Sequence, residues 1–183
     1  MKKKRISLIL SSSSKNRALI LKKINVPFYK FSPVLDESFF EKEHPRDLTR
    51  RLSLQKAIQA KKKYNNLFIL SADTVVYSRR KIIDKTSNIN QARLNLKLLS
   101  GKRHRVYTGV TFFTNKEKYY QYVCKSTVKF KVLDNNDIDK YLHSNEWVGC
   151  AGSYSIQGLA ESFVEMISGS FSNIVGLPMH IIY

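Results

Sequence analysis

The chain has 183 residues, enough to bury a real core as one domain of ordinary size or as two lobes sharing one sheet. Hydrophobic residues make up 43% and charged residues 25%, with only 7 Gly and 4 Pro, which excludes collagen-like, low-complexity and largely disordered classes. Lys and Arg number 32 against 14 Asp and Glu, and this formal charge of +18 favours polyanionic partners such as phosphates, nucleic acid or an anionic membrane surface, although a biased genome composition gives the same excess.

At the start, Met1–Arg5 and Ile6–Leu10 superficially resemble a signal peptide, but the apolar run is shorter than an h-region and Ser and Lys follow at once. Ile6–Leu10 is read instead as a buried strand, followed by a serine loop and a helix over Lys15–Ile24. Pro27–Ser32 suits a second strand, and polar, acidic Pro33–Pro45 a functional loop. Arg46–Tyr64 has the spacing of an amphipathic helix, with Leu48, Leu52, Ala57 and Ile58 inward and basic residues outward.

Leu67–Tyr77 is aliphatic on both faces, the pattern of a central strand covered on both sides and interrupted by Asp73. Arg79-Arg80 turns into a short strand, Lys81–Ile83, and Asn88–Ser100 forms a helix that Gly101 stops. Val106–Phe113 and Tyr119–Val132 make a hairpin around Asn115-Lys116-Glu117, the second arm alternating Val128, Phe130 and Val132 against lysines. Asp134 caps a helix over Asn135–His143, and the glycine-bearing remainder is loop-rich and site-forming. No run is long enough to span a bilayer, and two cysteines, Cys124 and Cys150, are too few for a disulfide scaffold or zinc cluster and fit a reducing cytosol. The pattern is one α/β unit over residues 1–183.

Four constellations carry chemistry. Ser12, Ser14 and Arg17 lie between a strand and a helix, where backbone N–H groups, hydroxyls and a guanidinium suit a triphosphate; the alternative is that Ser14 merely caps the helix and Arg17 is solvated. Asp73 sits in an apolar strand, where a carboxylate needs a metal, a reacting group or a buried ion pair to justify it. Asp36-Glu37 offers hard oxygen ligands for Mg²⁺, with Lys56 and Lys85 available for phosphate, against the alternative of a solvated basic face. Gln157, in the turn Ser155-Ile-Gln-Gly158, has an amide able to read a nucleobase edge or simply to be exposed.

In this order the segments LILSSSSKNR, VLDES, LQKA, SADTVV, IIDKT, LSGKRHRVYTGV and AGSYSIQGLAES resemble the Maf family of nucleoside triphosphate pyrophosphatases over nearly the whole chain. The resemblance implies an α/β fold related to inosine triphosphate pyrophosphatases: a mixed central sheet with flanking helices, a cleft between two lobes, and commonly a homodimer. It implies hydrolysis between the α and β phosphates in the cytoplasm, with a divalent cation, Mg²⁺ or Mn²⁺. By matched position, Asp73 is the proton acceptor, Ser12, Ser14 and Arg17 bind phosphate, Glu37 and Asp73 hold the metal, and Lys56 and Lys85 neutralise the triphosphate. Thr74 and Gln157 resemble the branch acting on dTTP and UTP.

Asn16 stands where that branch has Arg, after Lys15 in place of Pro, and so marks a third specificity position. Thr86 replaces the Pro that usually follows Lys85, and the chain ends at Tyr183, where relatives continue into a final helix. Two other classes are weighed against the enzyme. A nucleic-acid-binding module would use the basic stretches Met1–Arg5 and Lys61–Lys63, but no aromatic RNA-binding motif, zinc site or helix-turn-helix accompanies them. A regulator of septum formation in cell division is the other.

Overall fold

The computed structural model describes residues 8–116 and 118–183. The Met1–Arg5 basic stretch, the first residues of the Ile6–Leu10 strand and Glu117 of the hairpin turn lie outside them. Among the described residues seven strands join in one mixed sheet, ordered β2-β1-β3-β5-β6-β7 with β4 on β3: β1 (Leu8–Ser11), β2 (Phe28–Phe31), β3 (Phe68–Ser78), β4 (Lys81–Ile83), β5 (Arg103–Phe113), β6 (Tyr119–Phe130) and β7 (Val164–Ser168). The helices are α1 (Lys15–Lys23), α2 (Pro45–Lys63), α3 (Ile89–Leu99), α4 (Asn135–His143), α5 (Phe171–Val175) and α6 (Met179–Ile182). None of the described helices is long and apolar enough to cross a membrane.

The described residues divide into two compact units, the first drawn from residues 8–73, 108–124 and 176–183 and the second from 74–107 and 125–175. In the first, β1 runs parallel to both β2 and β3, which requires crossovers, and α1 and α2 supply them. Helix α1 starts where Ser14 Oγ accepts from the Arg17 amide at 3.3 Å, and Lys22 and Lys23 complement its C-terminal dipole. Helix α2 begins with Pro45, whose missing N–H costs nothing there, and ends on Lys61–Lys63. Its buried face approaches β5 closely: a Cβ on Gly109 would lie 2.2 Å from the Thr49 carbonyl oxygen, so only glycine fits. Ile9, Ala57, Ala60, Ile69 and Phe113 form an apolar cluster of this unit.

In the second unit, α3 and α4 pack together and bury Leu96, Leu99, Ile138 and Leu142 against Val106, Val128 and Phe130 of the sheet. Asp134 makes the expected cap of α4, in fact a full capping box with Asp137, and Gly101 stops the segment after α3 with φ +64°.

Four sequence expectations change. Ile58 is 39% exposed, because it follows Ala57 off the inward face of α2. Val132 is 78% exposed, because β6 ends at Phe130 and the alternation stops there. Strand β7 arises inside the segment read as loop-rich; it pairs antiparallel with β6 and is mostly exposed, so no inward apolar alternation announced it. The basic stretch Lys61–Lys63 is also not uniformly solvated: Lys61 is buried and its Nζ donates to the carbonyls of Asn65 and of Thr114, the latter at 3.0 Å.

Candidate active site

Register explains how the first unit gathers its charges. Ser11, the last residue of β1, pairs with Ser71 of β3, so the Ser12–Ser14 loop and Asp73, in mid-strand on β3, both lie just past the carboxyl end of β1, on the side where open α/β sheets bind ligands. Helix α2 is pinned beside them by a set of buried hydroxyls. Ser71 Oγ donates to the Ser53 carbonyl at 2.6 Å, Ser53 Oγ meets Thr111 Oγ1 at 2.9 Å, and Ser11 Oγ donates to the Lys56 carbonyl at 2.7 Å. Lys56 is nearly one turn past Ser53, and Asp73 is two residues past Ser71 on the same strand face. The hydroxyl contacts therefore bring Lys56 onto Asp73.

The resulting contact is buried and short. Lys56 Nζ lies 2.5 Å from Asp73 Oδ1 and 2.6 Å from Glu37 Oε1, with Lys56 4% and Asp73 2% exposed. The Glu37 side chain, at 41% exposure, reaches in from the loop before α2. Arg17 is 7% exposed; its Nε donates to the Gly176 carbonyl at 2.8 Å and its Nη1 to Ser12 Oγ at 3.1 Å. Burial pushes the Arg17 guanidinium below its ordinary pKa, and the charges of Asp73 and Glu37 oppose that shift. Ser12 Oγ also accepts from the Ser14 amide at 3.2 Å.

The structure thus brings together Ser12, Ser14, Arg17, Glu37, Lys56 and Asp73 in one unit. Ser14 is a helix cap, whereas Arg17 and Lys56 are enclosed rather than solvated. Asp36 separates from Glu37: it accepts from the amide and hydroxyl of Ser38, both at 2.9 Å, and these bonds lower its pKa. Asn16 is half-buried on α1.

The remaining candidates belong to the second unit. Thr74 is buried, while Lys85 and Gln157 are exposed. The turn holding Gln157 has a rigid base: Ser155 N donates to Tyr141 Oη at 2.9 Å, and Glu146 Oε2 accepts from Leu159 N at 2.8 Å. The segment after Lys85 is tied by Gly149 N to the Thr86 carbonyl at 3.2 Å.

Sequence reasoning missed the buried hydroxyls of Ser11, Ser53, Ser71 and Thr111, Glu146 under the Gln157 turn, and Arg51. Arg51 fixes the acidic loop through two bonds to Glu43, at 2.8 and 2.7 Å, and stacks its guanidinium over Phe40. Serines inside the apolar strands LILS and FILSADT were the available signal.

Among the described residues no group of three or more His, Cys, Asp and Glu side chains gathers as a metal cage. The Glu37 and Asp73 oxygens do converge on one cationic nitrogen, which suits a hard cation that takes one or two carboxylates and completes its shell with phosphate.

The model of the Maf-like protein family matches residues 7–183. The chain belongs to the Maf-like family. Its curated relatives in that family include the dTTP/UTP pyrophosphatase of Agrobacterium fabrum, 39% identical over 94% of this chain and 87% of the relative. That of a Wolbachia from Drosophila simulans is 42% identical over 97% of this chain and 90% of the relative. The Rhizobium johnstonii dTTP/UTP pyrophosphatase is 42% identical over 94% and 87%. Among solved structures, the Staphylococcus aureus Ham1 protein aligns with a TM-score of 0.46 at 9% identity, over 67% of this chain and 71% of that one.

Proposed function

We propose that this Maf-like protein hydrolyses nucleoside triphosphates to a nucleoside monophosphate and pyrophosphate, with dTTP and UTP preferred, as nucleotide-pool housekeeping. The observation that carries the reading is the buried Lys56–Asp73 contact beside Glu37 and Arg17. Charge this deeply enclosed costs stability unless a ligand of matching charge uses it. The names of the curated relatives support the substrate class.

In this reading Asp73 is the general base that takes a proton from the attacking water. Ser12, Ser14 and Arg17 receive phosphate oxygens at the start of α1, and the two bonds fixing Arg17 orient its guanidinium before substrate arrives. Lys56, with Lys85, offsets negative charge on the pyrophosphate as the α–β bridge breaks. A divalent cation, Mg²⁺ or Mn²⁺, would be held by Glu37 and Asp73 and would neutralise phosphate charge. Thr74, Gln157 and Asn16 select the base, with Gln157 presented on its braced turn. The same reading carries a cytoplasmic homodimer.

Pyrophosphate release by the purified protein, with Mg²⁺ or Mn²⁺, across purine and pyrimidine triphosphates tests the proposal. Pyrophosphate from dTTP and UTP is the expected result. Orthophosphate as the first product, or no turnover of any nucleotide, would overturn it.

A further inference from the structure

The four charged side chains gathered at the Lys56–Asp73 contact balance one another without any added ion. Arg17 and Lys56 supply two positive charges; Glu37 and Asp73 supply two negative ones. Lys56 Nζ stands within 2.6 Å of one oxygen from each carboxylate, so it holds the point on which the two converge. A divalent ion brought to these oxygens would meet an ammonium at contact distance and leave the enclosed group with a double positive excess. Like charges so close in a poorly solvated site repel strongly.

We propose that Lys56 is the resident counter-ion of the Glu37–Asp73 pair in the nucleotide-free protein, and that a divalent cation gains these carboxylates only when Lys56 Nζ leaves them for a polyphosphate. This rests on the nucleotide reading given above and deepens it. A triphosphate brings the negative charge that the added ion lacks, and it offers the ammonium new oxygen acceptors. Lys56 then has two positions: on the carboxylates when the site is empty, and on the phosphates when it is filled. Metal and nucleotide therefore bind cooperatively, and the bare protein takes up metal poorly. The backbone of Lys56 stays in place during the exchange, because its carbonyl is held by Ser11 Oγ; only the flexible four-carbon stem moves.

The test is Mn²⁺ binding without nucleotide, read from the paramagnetic resonance of free Mn²⁺ and from calorimetry, in wild type, Lys56→Gln and Lys56→Gln/Glu37→Gln. The expected result is at least tenfold tighter binding in Lys56→Gln than in wild type, with the gain lost in the double variant. Mn²⁺ should also raise the melting temperature of Lys56→Gln more than that of wild type, since the ion replaces the missing ammonium. Equal or weaker Mn²⁺ affinity in Lys56→Gln would overturn the proposal. So would a failure of Mn²⁺ to fold or stabilise both Lys56→Gln and Lys56→Met. Pyrophosphate release by wild type, measured in parallel, separates the two claims: its absence overturns the nucleotide reading, whereas turnover without the affinity gain overturns the counter-ion role alone.

Discussion

The first unit encloses Arg17, Lys56 and Asp73, side chains whose burial is costly even when paired, whereas the second encloses neutral groups that hydrogen-bond to one another and leaves single polar atoms such as His104 Nδ1 without a hydrogen-bond partner. In the second, Asn95 Nδ2 donates to Ser153 Oγ at 2.8 Å, His104 Nε2 meets Tyr154 Oη at 2.8 Å, and Asn173 Nδ2 donates to Ser126 Oγ at 2.9 Å. Its ion pairs, such as Lys129–Glu165 and Lys131–Asp137, stay at the surface, where they contribute little. Enclosed hydrogen bonds between neutral groups fix a scaffold. Enclosed charge balanced by charge is a poor way to gain stability, and its presence marks the unit where chemistry is concentrated.

The sharpest way to break this contrast is to empty the ion pair one side at a time. Lys56→Met alone leaves the Asp73 carboxylate enclosed without its cation and should cost about 3–5 kcal/mol in denaturant unfolding, while Lys56→Met/Asp73→Leu should recover most of that loss. A double variant no more stable than the single one would mean that the charges are structural after all.

The second unit has its own signature, in pH. Burial lowers the His104 pKa from 6.5 to about 4, so the unfolded chain binds more protons than the folded one between those values. Its contribution is complete above pH 6.5 and is lost as the pH falls towards 4, about 3 kcal/mol over the window. Urea unfolding at pH 7 and pH 4.5 should show the loss, and His104→Gln should flatten that part of the profile.

A smaller effect follows from the close approach of α2 to β5. Gly109→Ala forces a Cβ against the Thr49 carbonyl and should cost about 1–3 kcal/mol. Because α2 also carries Lys56, turnover should fall in the same variant, whereas lost stability with unchanged turnover would show that the helix can shift without disturbing the site. The smallest stability effect is expected at Gln157. Its exposed side chain can be cut to Ala within about 0.5 kcal/mol, yet the ratio of kcat/KM values for dTTP and purine triphosphates should change.

Much of the frame was legible because it follows from local rules. Asp134 and Asn88 announced helix starts, Gly101 a stop, and the aliphatic run around Asp73 a covered strand. Arg17, Lys56 and Asp73 could be singled out, but their partners could not. Which carbonyl receives Ser71, which residue reaches Arg17 from position 176, and how Asp36 and Glu37 part company are set by contacts between segments distant in sequence. Strand β7 escaped for a different reason: an exposed strand leaves no alternating apolar trace.

The most direct test of the account measures turnover and folding on the same sample of Asp73→Asn. The amide keeps the side chain's shape but cannot serve as the base, so pyrophosphate release from dTTP should drop about 10²–10⁴-fold while the circular dichroism spectrum remains that of the wild type. Near wild-type turnover from a folded Asp73→Asn protein would contradict it.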